Sequence, residues 1–142
     1  MRRYEVINER PLAIRAFGAT LPELFEHAAY AVFDQGYRLD EIPPTYSRPV
    51  IAAGDTMDAL LCHWLEELLG MSRAEGIVPS YFVVDRLEEG GVQGSAAGLL
   101  VAETVPRQRR VVAVGSVRVV EHGAGAWCEL ELETRPQLGI VP

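Results

Sequence analysis

Apolar and polar positions along the chain change period several times, and each change marks an element. Tyr4 to Ile7 and Ala13 to Phe17 read as two short strands on either side of a polar interruption, Asn8-Glu9-Arg10-Pro11. From Thr20 the period lengthens. Leu21, Leu24, Phe25, Ala28, Ala29, Val32 and Phe33 recur at the spacing that lines one face of a helix. Thr20 with Glu23 three residues on makes a capping box. Pro22 falls in the first turn, where a missing N–H is tolerated, and Gly36 is placed to end the helix.

The three prolines in Leu39 to Pro49 exclude a regular helix there, so this segment reads as a connection, followed by a short strand, Val50 to Ala53. Met57, Leu60, Leu61, Trp64, Leu65, Leu68 and Leu69 then form the clearest stripe in the chain, with Asp58, His63, Glu66 and Glu67 off it. Asp55 is the expected cap of this second helix and Gly70 its expected end.

The second half is β. Tyr81 to Leu87 and Val92 to Val101 flank the turn signal EEGG, and Val111 to Val120 and Ala126 to Glu133 flank EHGAG. The tail from about residue 135 to 142 has prolines at both ends and reads as irregular. No internal repeat is visible. The sum is an α+β fold, two helices covering one face of a largely antiparallel or mixed sheet, with residues 1–142 as one domain.

The length of 142 residues suits one domain with its own core. Hydrophobic residues make up 49%, but no run approaches the roughly 18–20 residues that span a bilayer. Met1-Arg2-Arg3 is followed by Tyr4-Glu5 and not by a long apolar stretch, so no secretory signal is expected and the cytoplasm is the expected location. The formal charge of -7 and pI near 4.9 repel a phosphate backbone and argue against direct nucleic-acid binding. Cys62 and Cys128 form no CxxC pair and read as buried free thiols.

Candidate chemistry is sparse. His27 and His63 read as solvated helical histidines, His63 able to pair with Glu67 four residues on, and His122 as a turn residue. The glycines of EEGGVQGSAAG lack the GxxxxGK[ST] pattern and precede a strand, so they read as turn and strand glycines. Glu129, Glu131 and Glu133 share one strand face. Three such carboxylates can bind a divalent cation, but they also make the solvated edge that discourages sheet-to-sheet aggregation. Arg107 to Arg110, RQRR, is the only dense basic run and reads as a solvated loop.

Two blocks carry a resemblance. YEVINERPLAIRAFGATLPELFEHAAYAVFD resembles the opening of archease proteins, where a Tyr-led strand, a polar loop and a strand ending in an aromatic and Gly lead into TLEELFENAAKALFD-like helix text, here Thr20 to Asp34. DTMDALLCHWLEELLGMSRAEGIVPSYFVV is similar to the family's LLVNWLNELL helix and its Glu-Gly step, here Leu60 to Leu69 and Glu75-Gly76. The resemblance spans about Tyr4 to Val84. It implies an archease-like fold and a small protein that activates a GTP-dependent RNA ligase in tRNA exon joining, not an enzyme. It also implies an acidic, divalent-metal-binding end, fed by a DHTAD-like loop and a C-terminal Asp, with a lysine from a VKAVTYH-like strand nearby.

Carried over residue by residue, most of those groups are replaced. Asn8 stands at the first Asp of the loop, Glu9 at its His, and Leu12 near the metal-binding Asp. Gly115 stands at the lysine, and Glu133 or Thr134 near the C-terminal Asp. Leucine has no lone pair for a hard cation and asparagine offers one neutral carbonyl, which leaves Asn8, Glu9 and Glu133 as weak candidate ligands for Ca²⁺ or Mg²⁺ and tight binding as not expected. Three readings follow: an RNA-ligase accessory with a degenerate metal site, a diverged family member with an unknown protein partner, and a small acid/base enzyme using Glu9 with Glu129 to Glu133. No catalytic or cofactor-binding residue is assigned, no membrane contact is expected, and the oligomeric state is not encoded legibly.

Overall fold

The computed structural model describes residues 2–123 and 125–137. Its strands are β1 (Tyr4–Glu9), β2 (Leu12–Gly18), β3 (Tyr46–Ala53), β4 (Ile77–Glu88), β5 (Gly91–Leu100), β6 (Arg109–His122) and β7 (Gly125–Pro136). Its helices are α1 (Leu21–Asp34) and α2 (Met57–Glu75). The strands form two antiparallel sheets, in the orders β1-β2-β7-β6 and β3-β5-β4. The expectation of one sheet is therefore corrected. Alternation fixes which face of a strand is buried but not which strand lies beside it, so the local pattern is the same for one sheet or two.

Alternating apolar residues set the register of the larger sheet. Leu12, Ile14 and Ala16 of β2 lie opposite Leu132, Leu130 and Cys128 of β7, all of them buried. In the smaller sheet Val50 and Ala52 of β3, Val92 and Ala96 of β5 and Phe82 of β4 turn inward. Both inner faces join the two helices in one apolar cluster. At its centre Trp64 is fully buried and its Nε1 donates to the carbonyl of Phe25 at 3.2 Å, tying α2 to α1. Phe33 stacks on Phe82 with ring centroids 5.8 Å apart.

The fold contains a repeat that the sequence reading missed. β2-α1-β6-β7 and β3-α2-β4-β5 have the same connectivity, with the first strand pairing the last. The second unit lies, in sequence, between α1 and β6 of the first. The strand-to-helix corners share the same local contacts. Thr20 and Thr56 are the N-caps, accepting from the backbone N–H of Glu23 and Ala59. His27 and His63 point their Nδ1 at the carbonyls of Phe17 and Ala53, ten residues back in each case. A carbonyl only accepts, so both nitrogens carry the proton. Gly18 and Gly54 let each helix start against its strand: a Cβ would meet the backbone N of Leu24 at 2.4 Å or of Leu60 at 2.7 Å. Across these corners the shared residues are Ala16/Ala52, Gly18/Gly54, Thr20/Thr56, Leu24/Leu60 and His27/His63, too few to show as a repeat.

Each helix also seals an edge of the other unit's sheet. Glu26 of α1 accepts from the backbone N–H of Val84 on β4, and Asp58 of α2 from that of Val119 on β6, both at 2.8 Å. Unpaired edge N–H groups are thereby satisfied.

Several boundaries differ from expectation. The cap of α2 is Thr56 and not Asp55. The helix runs through Gly70 to Glu75 and ends on Gly76 in the left-handed region (φ 65°). A helical Gly is less favourable than Ala by only about 1 kcal/mol, and the packing of Met71 against the core continues the stripe. β3 begins at Tyr46, inside the expected connection, and keeps Pro49 on an edge strand where no ladder N–H is needed. β4 begins at Ile77, and Val101 opens a short 3-10 turn. Arg135 and Pro136 extend β7 opposite Arg110 and Arg109, so the tail is not irregular there; the rest of that expectation, 138–142, lies outside the described residues. Cys128 is buried but Cys62 only half so, and both are free.

Candidate functional site

One end of the larger sheet opens into a cleft of about 1140 Å³. Four segments far apart in sequence build it. The β1–β2 hairpin brings Glu9, Arg10 and Leu12, with Glu9 directly opposite Leu12 across the turn. Leu12 pairs with Leu132, which fixes Glu133 and Arg135 on the neighbouring strand end. β6 starts with Arg109 opposite Pro136. The loop before it folds back on the end of α1, where the N–H of Arg107 donates to the carbonyl of Gly36 at 2.7 Å.

Around this end the side chains are locked together. Arg107 Nε donates to the carbonyls of Asp34 (2.8 Å) and Tyr37 (3.2 Å), and its Nη2 lies 3.5 Å from Asp34 Oδ1. It thus holds the last carbonyls of α1, where a cation is favoured by the helix dipole. The phenol of Tyr4 donates to Asp34 Oδ2 at 2.6 Å and accepts from Gln35 Nε2. Burial, and then the Asp34 carboxylate, push the Tyr4 pKa up, so this phenol remains a donor.

Glu9 and Glu133, two of the weak candidate ligands, both line the cleft, but not as free carboxylates. Glu9 Oε2 is 2.8 Å from Arg109 Nη2, with the Glu9 side chain 67% exposed. Glu133 Oε1 is 2.7 Å from Arg135 Nη1. Asn8 turns its amide Nδ2 to the carbonyl of Pro11 at 2.7 Å and braces the hairpin. Leu12 is buried, 2% exposed, and forms part of the floor. Gly115 lies on β6 against the backbone of Glu131, away from the cleft; Thr134 lines it. Among the described residues no three His, Cys, Asp or Glu side chains converge to hold a metal ion. The donors present do not fit one: each carboxylate at the cleft is engaged by a guanidinium, which repels a cation.

What the cleft does gather is arginine. Arg10, Arg38, Arg107, Arg109 and Arg135 line it against Glu9, Asp34 and Glu133, a local excess of two positive charges in a chain of net charge -7. The RQRR run is thus not a plain solvated loop: its Arg107 and Arg109 are anchored at the cleft. For the arginines, the dense basic run in an acidic chain was the sequence signal that pointed here.

The other sequence candidates lie elsewhere. Glu129 bridges Arg118 (2.8 Å) and Arg15 (3.2 Å), and both guanidiniums lie over the Trp127 ring. Hydrogen bonds from Arg118 and then Arg15 hold the Glu129 carboxyl below the ordinary range. The acid/base reading needs Glu9 beside this strand face with a raised carboxyl pKa; Glu129 shifts the opposite way and does not line the cleft, and Glu133, which does, is paired with Arg135 as Glu9 is with Arg109. His63 donates to Ala53 and not to Glu67. No helix among the described residues is long and apolar enough to cross a membrane.

Comparison with known proteins agrees with the fold. A family model described as the archease protein family (MTH1598/TM1083) matches residues 11–127. The chain is 36% identical over 78 residues to a protein archease of Pyrobaculum neutrophilum, a match covering 55% of this chain and 53% of that protein. It is 28% identical over 133 residues to a protein archease of Methanosarcina mazei, covering 89% and 91%. The match therefore spans only about half the length of the Pyrobaculum relative. The solution structure of protein 1598 of Methanobacterium thermoautotrophicum superimposes with a TM-score of 0.79 at 26% identity, covering 94% of this chain and 99% of that one.

Proposed function

The chain belongs to the archease family, and from that premise we propose that it acts by protein contact, as an accessory that activates a GTP-dependent RNA ligase in tRNA splicing or RNA repair. The observation that carries this reading is the family match across residues 11–127 together with the same two-helix, two-sheet fold in the solved relative. Its chemistry is consistent. An acidic surface is steered toward a basic protein partner rather than toward RNA itself, and the candidate carboxylates are paired with arginines instead of poised for proton transfer. A cytoplasmic location is part of the same proposal.

The proposal includes loss of the family's metal site, supported by the buried Leu12 near the position where the resemblance implies a metal-binding Asp, and by the guanidiniums on Glu9 and Glu133. The same replacement favours a second reading, a family member that has left the ligase for another protein partner. Multiple-turnover joining by the cognate ligase, with and without the purified protein, separates them. Stimulation is expected; no stimulation, with capture of a partner unrelated to RNA ligation, leaves the second reading. Calorimetry with Ca²⁺, Mg²⁺ and Mn²⁺ addresses the metal: tight binding of any of them overturns the proposed loss.

A further inference from the structure

We infer that the arginine-lined cleft is a site for a compact phosphate-bearing anion, gripped by Arg10, Arg38, Arg109 and Arg135. Arg107 is not in this set, because its donors are committed to Asp34 and Tyr37 and serve the end of α1. The other four are not spent in this way. Arg10, at the hairpin tip, has no hydrogen-bond or ion-pair partner among the described residues. Arg38 Nη1 is 3.8 Å from Glu41, too long for a hydrogen bond. Arg109 and Arg135 each meet one carboxylate, Glu9 and Glu133, and one backbone carbonyl, that of Glu9 and that of Thr134, and each guanidinium keeps further N–H donors free, since the group has five.

Charge decides the class of ligand. A second carboxylate would bring a single negative charge to a cleft whose excess is two. A phosphate monoester brings about 1.5 to 2 negative charges and three acceptor oxygens at one point, and an oligophosphate brings more of both, the match for several guanidinium forks. Compactness follows from the surroundings. The chain is acidic overall, so an extended polyanion is repelled outside the cleft while a small one inside is held by a locally focused field. The floor of Leu12 and Leu132 beneath the guanidiniums is buried and apolar, which limits competition by water. A free nucleotide and the terminal phosphate of an RNA share this chemistry. The inference does not rest on the ligase reading, and its test needs no ligase.

The test is isothermal titration of the full chain with inorganic tripolyphosphate at low and high salt. Saturable binding that weakens with salt is expected. Arg10→Gln and Arg109→Gln should each weaken it about ten-fold or more, the loss of one charge-assisted contact. Glu9→Gln should tighten it several-fold, because a competing carboxylate is removed; a purely structural Glu9–Arg109 pair predicts no such gain. Arg118→Gln, on the Trp127 face, should leave it unchanged. Arg10 is at an exposed turn, so its variant remains informative if Arg109→Gln unfolds the chain. ATP and a 5′-phosphorylated oligonucleotide, each against its unphosphorylated counterpart, distinguish the two sources. No binding at millimolar tripolyphosphate overturns the inference, as does weakening by Arg118→Gln equal to that by Arg10→Gln, or weakening by Glu9→Gln.

Discussion

Replacing Glu26 by Ala removes the acceptor that α1 offers to the edge of β4. Glu26 Oε2 accepts from the Val84 N–H at 2.8 Å in a partly buried setting. Hydrogen bonds to charged groups contribute about 1.5–3 kcal/mol. Partial access of water to the freed N–H places this one near the lower end, about 1.5 kcal/mol. Glu26 lies past the first turn of α1, so loss of helix-dipole stabilisation adds little. For a chain of this size about 1 kcal/mol shifts the melting temperature by roughly 4 °C, so Glu26→Ala should lower it by about 6 °C. Glu26→Gln keeps a carbonyl acceptor without the charge and should lose less than half as much. Urea unfolding gives the energy, and hydrogen exchange of the Val84 amide gives the cause, since its protection should fall in parallel. If Glu26→Ala changes stability by less than about 0.5 kcal/mol while Val84 stays equally protected, the idea that the helices seal the sheet edges is refuted.

Thr20→Ala and Thr56→Ala should each destabilise by about 1 kcal/mol in urea titrations, and their effects should add, because the two caps sit on separate helices. Burial, then Glu66, pushes the Cys62 thiol up to about 11, and burial pushes Cys128 up to about 12. Both thiols are therefore protonated at pH 8, and a disulfide reagent should modify the half-buried Cys62 slowly and Cys128 only after denaturant is added. Glu129 is a carboxylate with a depressed folded-state pKa, so its stabilisation is present above the unfolded value, near 4.5, and is lost as pH falls through the lower folded value. Glu129→Gln should flatten the acid limb of a pH–stability curve and leave the curve above pH 5 parallel to the original.

The helices and hairpins were legible because their information is local. The stripe from Met57 to Leu69 and the turn EEGG each specify one element whatever surrounds them. The helix end was misread because Gly70 is a stop only where nothing beyond it packs, and Met71 packs. The division into two sheets was not legible, since β2 finds β7 and β3 finds β5 by tertiary choice. The cleft was half legible. Its carboxylates could be placed by resemblance, but Glu9 meets Arg109, 100 residues on, only once the sheet closes, while Glu133 pairs with Arg135 two residues on in the same strand. Each arginine, taken alone in sequence, has the character of a solvated surface charge.

The nesting of one β-α-β-β unit inside the other imposes a timetable on synthesis. β3, α2, β4 and β5 emerge together and can pair within the 55 residues from Tyr46 to Leu100. β2 cannot complete its sheet until β7 emerges, and Arg15 waits 114 residues for Glu129. At translation rates of about 5–20 residues per second that wait is on the order of ten seconds. Through it one edge of β2 lies open beside the buried-to-be Leu12, Ile14 and Ala16, a strand edge awaiting a partner. The inner unit closes first and the outer one last, so the cleft, built from β1, the outer unit and its flanking loops, is the final part of the molecule to exist.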